Sequence, residues 1–281
     1  MADQATLIRV FRDTEEMLET DETLRRAALL SKRATVFYPE QIAIPVPCNP
    51  GYDTVVTLSH DRTFAAAMRL RKEYPDARIA VHNFASATNP GGGVVSGARA
   101  QEECLCRCST LYPALNSSHL RGYYYEFHRN RHDVRYTDTV LYTPEVIIFK
   151  TDEDVPQLMP KSDWCKVGVI TCAAPNLRSK PVNPMNPGTG SSIRMSDEAL
   201  RELHLSRGRR ILQAAAAQCN EVLVLGAFGC GAFRNNPDVV ASVYKELTEE
   251  FRGYFRHIEF AVYTPKENPE NYFAFERVLQ K

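Results

Sequence analysis

The chain has 281 residues, with 34 Lys and Arg set against 34 Asp and Glu, and eight cysteines. It is long enough to bury a substantial core, and its balanced charge gives no reason to expect a general electrostatic attraction to nucleic acid or membrane, a local basic patch aside. No apolar run approaches the roughly 18 residues of a membrane helix, and the opening MADQATLIRVFRDTEE is too acidic and mixed for a signal peptide. An intracellular protein with reduced cysteines is therefore expected, its residence cytoplasmic or nuclear.

Leu7, Val10, Phe11, Thr14 and Leu18 recur at spacings of three and four and predict an amphipathic helix, followed by a second over DETLRRAALLSKR. The Pro-rich PEQIAIPVPCNPGY closes this helical accessory segment, 1–50. Over 51–281 short apolar runs alternate with helical patterns. DTVVTLS is a strand, Asp61 to Tyr74 a helix, RIAVHNFA a strand and Arg99 to Leu111 a helix. TVLYTPEVIIFK reads as strand material broken at Pro144, and KVGVITCAAP as a buried strand. A linker rich in Pro, Asn and Gly runs from Asn176 to Ser192, ahead of a long helix from Ser196 to Asn220. EVLVLGAF (strand), Pro237 to Phe251 (helix), HIEFAVYT (strand) and NPENYFAFERVLQ (helix) complete the chain. This alternation predicts an α/β domain with helices on both faces of a largely parallel sheet. Ligands of such sheets lie beyond the carboxyl ends of the strands.

Two motifs with a metal-like look do not carry metal chemistry. CLCRC places cysteines two apart, which on a helix do not share a face. HRNRH has the i, i+4 histidines of a metalloprotease helix, but Arg129 stands where the catalytic acid would be. No cofactor or metal is expected. The glycine loops are more informative. LGAFGCGAFRNNP puts Gly226, Gly229 and Gly231 between a strand and a helix, where free N–H groups suit an anion such as a diphosphate. It fits neither the dinucleotide fingerprint nor the P-loop. Simple tight turns are the bland alternative. The other loop, NPGGGVVSGARAQEE, sets Gly91, Gly92 and Gly93 ahead of the adjacent acids Glu102 and Glu103. Glycines permit close backbone approach, whereas neighbouring carboxylates repel and are costly to bury.

The triplet GGG, a seven-residue spacer VVSGARA and then QEE resemble the signature of the microbial-type poly(ADP-ribose) glycohydrolases. NFASATNPGGG, ITCAAPN and LGAFGCGAFRNNP resemble further segments of that family in its order, over roughly residues 53–281. The resemblance implies a three-layer, macrodomain-like α/β/α fold with a mixed, largely parallel sheet and an N-terminal helical extension. It also implies hydrolysis of the ribose–ribose bond of poly(ADP-ribose), with ADP-ribose as product and ADP-ribosylated proteins as partners; no membrane or direct nucleic-acid partner is expected. By the same resemblance Glu103 is the catalytic acid/base, Glu102 holds ribose hydroxyls, and Gln101 opens the motif. Asn89 donates to the distal ribose, Gly91 to Gly93 contact the ligand near the scissile bond, Phe233 lies against the distal ribose, and Gly229, Cys230 and Gly231 cradle the diphosphate; a turn-forming side chain is the alternative for Asn89 and a core aromatic that for Phe233. An ionised Glu102 would raise the pKa of Glu103 and the helix N-terminus would lower it, so the net direction is open at this level.

The interleaved aromatic and basic run RGYYYEFHRNRHDVRYTD, Arg121 to Asp138, is read as a rim contacting the polymer, with rings packed on the domain as the alternative. Two further functions stay open: a macrodomain that binds ADP-ribose without hydrolysing it, against which the acid pair argues, and a hydrolase of another ADP-ribose linkage on protein.

Overall fold

The computed structural model describes residues 2–264 and 269–279. Its helices are α1 (Gln4–Thr20), α2 (Glu22–Ala34), α3 (Thr63–Glu73), α4 (Gln101–Cys108), the short α5 (Tyr112–Leu115), α6 (Ser118–Leu120) and α7 (Phe127–Arg131), then α8 (Asp197–Ala217), α9 (Pro237–Glu250) and α10 (Glu270–Leu279). Aspartates start the first two: Asp3 accepts from the Thr6 N–H at 2.7 Å, and Asp21 from the Thr23 and Leu24 N–H groups at 2.9 and 3.1 Å. These bonds satisfy donors that a helix leaves open at its N-terminus.

Strands β1 (Val36–Tyr38), β2 (Val55–Ser59), β3 (Ile79–Phe84), β4 (Val140–Ile148), β5 (Cys165–Cys172), β6 (Val222–Leu225) and β7 (His257–Ala261) form one sheet in the order β1-β4-β5-β3-β6-β7-β2. The pairs from β5 through β3, β6 and β7 to β2 are parallel, and β1-β4 and β4-β5 are antiparallel. Successive side chains of a strand serve opposite faces. Leu223 and Leu225 of β6, with Ile258 and Phe260 of β7, join the core that includes Ile211, Val243 and Phe275 of α8, α9 and α10. Val222 and Val224 join the other core, with Phe64 of α3, Leu105 of α4 and Phe11 of α1. Two cores on one sheet make three layers.

The predicted strands and principal helices are present, with informative differences. Residues 1–50 hold the two helices and also β1, which extends the sheet beside β4, while Ile44 of the Pro-rich stretch is buried in the core. β4 is one strand; at Pro144, which lacks an N–H for the ladder, the register shifts between Thr143 and Val146 and Glu145 takes φ 56°. α4 is shorter than the predicted Arg99 to Leu111, because Ala100 is extended before it and Ser109 leaves it to bridge Ile148. The predicted ends of the last helix, Asn268 and Gln280, lie outside the described residues.

Two segments between the main elements pack against each other. In Arg121 to Asp138 a π-helical turn spans Arg121–Glu126. There Tyr124 and Tyr125 are buried with Leu120 and Leu141, and His128 bonds the Tyr124 carbonyl and the Thr137 hydroxyl. The rings of this run are thus divided between packing and surface, with Tyr123 and Phe127 exposed. The stretch Asn176 to Ser192 is irregular but not a free linker. Thr189 contacts the Tyr136 hydroxyl, and Gly188 lies so close to the Arg129 backbone that a side chain there would collide with it.

Candidate active site

The carboxyl ends of β3, β5, β6 and β7 open into a cleft of about 430 Å³. α4 delivers the two acids to it. The helix has only eight residues and no side-chain N-cap, and its first turn carries Glu102 and Glu103 beneath the glycine loop. Both line the cleft and both are buried, at 2% and 6% exposure. A pair of solvated first-turn acids is therefore not what the chain builds.

Their partners differ. Glu102 uses both oxygens: Oε1 accepts from Asn83 Nδ2 at 3.3 Å and Oε2 from the Ser86 N–H at 2.8 Å. Glu103 uses one: Oε1 accepts from the Gly93 N–H at 2.8 Å, while Oε2 is buried without a partner. Burial pushes the Glu103 carboxyl above its ordinary range, opposed by the Gly93 N–H and by the Arg107 guanidinium. Burial pushes Glu102 well up, and repulsion from Glu103 adds to it against the Ser86 N–H. The direction left open by the sequence is upward for both, with desolvation leading, and the like-charge effect falls on Glu102.

These shifts fix a stability trend. A folded state that raises a carboxyl's pKa holds a proton that the unfolded chain releases. The stability so contributed is whole below the ordinary value of 4.5 and is lost as pH rises through the folded value. Glu102→Gln keeps the acceptor for the Ser86 N–H, and its new amide donor, which replaces the oxygen facing Asn83 Nδ2, is met by Asn83 Oδ1 once the Asn83 amide turns over, with the Thr171 hydroxyl then donating to the same oxygen. We expect the variant to flatten the decline of melting temperature above pH 4.5 and to melt no lower than the parent at neutral pH. Melting curves between pH 5 and 8 check this; an equal loss of stability at every pH would contradict it.

The glycine triplet explains how two carboxylates fit under a loop. Gly92 has φ +57°, and a Cβ built on it would overlap Glu103 Oε1 and come within 3.2 Å of Glu102 Oε2. Gly91 packs on the Tyr112 ring and Gly93 on Met185 and Ala98. Neither lines the cleft. Asn89 does not line it either: its side-chain amide donates to the Gly92 carbonyl and its carbonyl accepts from the Gly92 N–H, so it acts as the turn-former of the loop. Gln101 braces the site, donating to Thr63 Oγ1 and the His82 carbonyl and accepting from the Phe84 N–H.

The second glycine loop forms the opposite wall through Gly229, Gly231 and Phe233. Gly229 has φ +78°, and a Cβ there would come within 2.6 Å of Ala174 and 2.8 Å of Asn235. Asn235 is the brace of this loop, bonded to the Pro175 carbonyl and to His204. Cys230 is buried, its N–H is spent on the Ala227 carbonyl, and it stays off the cleft surface. Gly226 is also outside it, pressed against the Ala261 carbonyl. Phe233 is half-buried on Ala87, Tyr136 and Ala173.

Several site residues escaped the sequence reading. Asn83 and Ser86 bind Glu102, yet both sit in the strand-and-loop run NFASATNPGGG with no spacing that marks them. Met185 and Asn186, in the stretch read as a linker, close one side, and Asn186 Oδ1 accepts from Ser86 Oγ at 3.1 Å. Turn-rich composition shows that the chain bends there but not what the bends pack against. Arg178 lies 5.8 Å over the Phe233 ring, and among the described residues no carboxylate pairs with it. Of the cysteines of α4, Cys106 and Cys108 are apolar filling in the core beneath the site, Cys104 lines the cleft, and all eight cysteines of the chain are free.

A three-layer sheet with two glycine loops and a buried acid pair at its strand ends defines a macrodomain-like α/β/α protein with a carboxylate-bearing cleft. The family model described as microbial-type PARG, catalytic domain, PARG being poly(ADP-ribose) glycohydrolase, matches residues 10–151. The chain belongs to that family. The structure of poly(ADP-ribose) glycohydrolase from Thermomonospora curvata bound to the inhibitor ADP-HPD is 31% identical, with a TM-score of 0.80 over 97% of this chain and 99% of that one. The enzyme from Deinococcus radiodurans in complex with ADP-ribose is 36% identical, with a TM-score of 0.75 over 90% of this chain and 97% of that one. No curated protein sequence matches.

Proposed function

We propose that this chain is a poly(ADP-ribose) glycohydrolase that cleaves ribose–ribose O-glycosidic bonds of poly(ADP-ribose) and releases ADP-ribose. The observation that carries the catalytic assignment is Glu103: one oxygen tied to Gly93, the other buried, unpaired and part of a cleft-lining side chain. Such a carboxyl has a fixed position and a free oxygen for proton transfer.

In the proposed reaction protonated Glu103 gives its proton to the bridging oxygen as the bond from that oxygen to the anomeric carbon breaks. The pair of electrons leaves with the oxygen, and the ribose acquires oxocarbenium character. The Glu103 carboxylate then takes a proton from water as the water oxygen bonds to the anomeric carbon. ADP-ribose leaves with the added hydroxyl, the shortened polymer leaves with the donated proton, and Glu103 is again protonated. Its upward shift favours the acid form that the first step needs. Glu102, locked by Asn83 and Ser86, retains oxygen lone pairs to accept from ribose hydroxyls.

We assign the wall of Gly229, Gly231 and Phe233 to the diphosphate and distal ribose, with the guanidinium of Arg178 as counter-charge. ADP-ribose at about a hundred times its Kd contributes roughly 2.7 kcal/mol to the folded state and raises the melting temperature accordingly. AMP, which lacks the second phosphate and ribose, is expected to do much less. Equal shifts by the two ligands would contradict a site built for ribose, diphosphate and ribose together. The reading extends to polymer-bearing proteins as partners, approached through the chain they carry.

A further inference from the structure

Beneath the acid pair lies a buried cation that the reaction does not touch. Arg107, one helical turn after Glu103 on α4, is 1% exposed, and among the described residues no carboxylate forms an ion pair with it. A guanidinium stays charged under all ordinary conditions and is costly to bury without a counter-ion, so its position calls for a reason.

Its hydrogen bonds point to one. Nη1 donates to the Ala98 carbonyl at 2.7 Å and Nη2 to Cys104 Sγ at 3.4 Å, while Nε has no partner. Ala98 in turn donates its N–H to the Gly93 carbonyl at 3.1 Å, and the Gly93 N–H donates to Glu103 Oε1 at 2.8 Å. The chain of contacts leaves α4 at Arg107, crosses the glycine loop and returns to α4 at Glu103. From the other side, Thr14 of α1 holds the Arg107 carbonyl at 2.6 Å.

We propose that Arg107 is a positioning residue for the hydrolysis: its guanidinium pins the glycine loop that fixes Glu103 and supplies a permanent positive charge under the acid pair. Glu102, Cys104, Cys106 and Cys108 share its helix, Asp152 of the segment after β4 feels its charge, Lys150 acts on Cys108 and is engaged by Asp13 of α1, and Arg62 at the start of α3 acts on Cys104. Arg107 draws the Glu103 carboxyl downward against the upward push of burial. A neutral side chain at 107 therefore leaves Glu103 protonated to higher pH. The inference rests on the assignment of Glu103 above.

The test compares the parent, R107K and R107Q in release of ADP-ribose from poly(ADP-ribose) as a function of pH, alongside melting temperatures. Activity falls on the alkaline side as Glu103 loses its proton. R107Q is expected to move that fall to higher pH and to lower kcat by about 10²-fold, the order of loss that a misplaced catalytic group brings. R107K loses the planar fork and replaces an always-charged guanidinium with an ammonium that can shed its proton when buried, so kcat drops while ADP-ribose affinity stays within a few fold. An R107Q profile that coincides with the parent's, with only melting temperature reduced, would overturn the proposal and leave Arg107 as packing. Should R107Q not fold, R107K decides: a lowered kcat with ADP-ribose affinity near the parent's supports the proposal, and a kcat equal to the parent's overturns it. A parent protein that releases no ADP-ribose would instead refute the function itself, before any variant is compared.

Discussion

Glu103→Gln is expected to lose about 10²- to 10⁴-fold or more of its turnover on poly(ADP-ribose), the range that a positioned general acid/base contributes, while ADP-ribose affinity stays within a few fold. The amide keeps the side chain's length and its acceptor for the Gly93 N–H at 2.8 Å, so the loop has no reason to move. What disappears is the proton for the leaving oxygen and the base for water. Steady-state turnover measured beside ADP-ribose binding separates these effects. A variant that binds as the parent does and turns over near the parental rate would remove Glu103 from the chemistry.

Gly92→Ala is expected to have a comparable effect on turnover for a different reason. The added methyl would overlap Glu103 Oε1 and crowd Glu102 Oε2, and the backbone at φ +57° disfavours any side chain. Strain of that kind costs about 1–3 kcal/mol, and its relief requires the loop to lift from the acids or the acids to turn away. Either response breaks the Gly93 contact with Glu103. Turnover should fall by about 10²-fold, as for other misplacements of order an ångström, with a lower melting temperature. Activity and stability both near the parent's would show that the loop adjusts freely, and that its closeness to the acids is incidental.

Much of the site was legible because its local requirements leave marks. GGG ahead of QEE indicates a backbone that must approach closely and acids that must be held together, and Gly92 lies against both carboxylates. The strands at the centre of the sheet read clearly because each is a short apolar run ended by turn residues. What stayed hidden depends on long-range packing. β1 is three residues long and has meaning only beside β4. Met185 and Asn186 sit among prolines and glycines that any loop would use, and the contact of Asn186 with Ser86 spans a hundred positions. Asn89 and Cys230, named for the ligand by resemblance, are used by the loops themselves, since a residue that shapes a turn and one that faces a ligand carry the same letter. The pKa of the acid pair was undecidable from sequence because its leading cause is burial, which the residues around the pair determine collectively.

Glycosidic cleavage by this cleft is tested by incubation of the protein with purified poly(ADP-ribose), followed by chromatographic separation of the products by length. Free ADP-ribose is expected to accumulate as the polymer shortens, and the same preparation carrying Glu103→Gln to leave the polymer at its original length. Polymer that stays intact in the presence of a parent protein that binds ADP-ribose would contradict such cleavage and identify the cleft as a binding site alone.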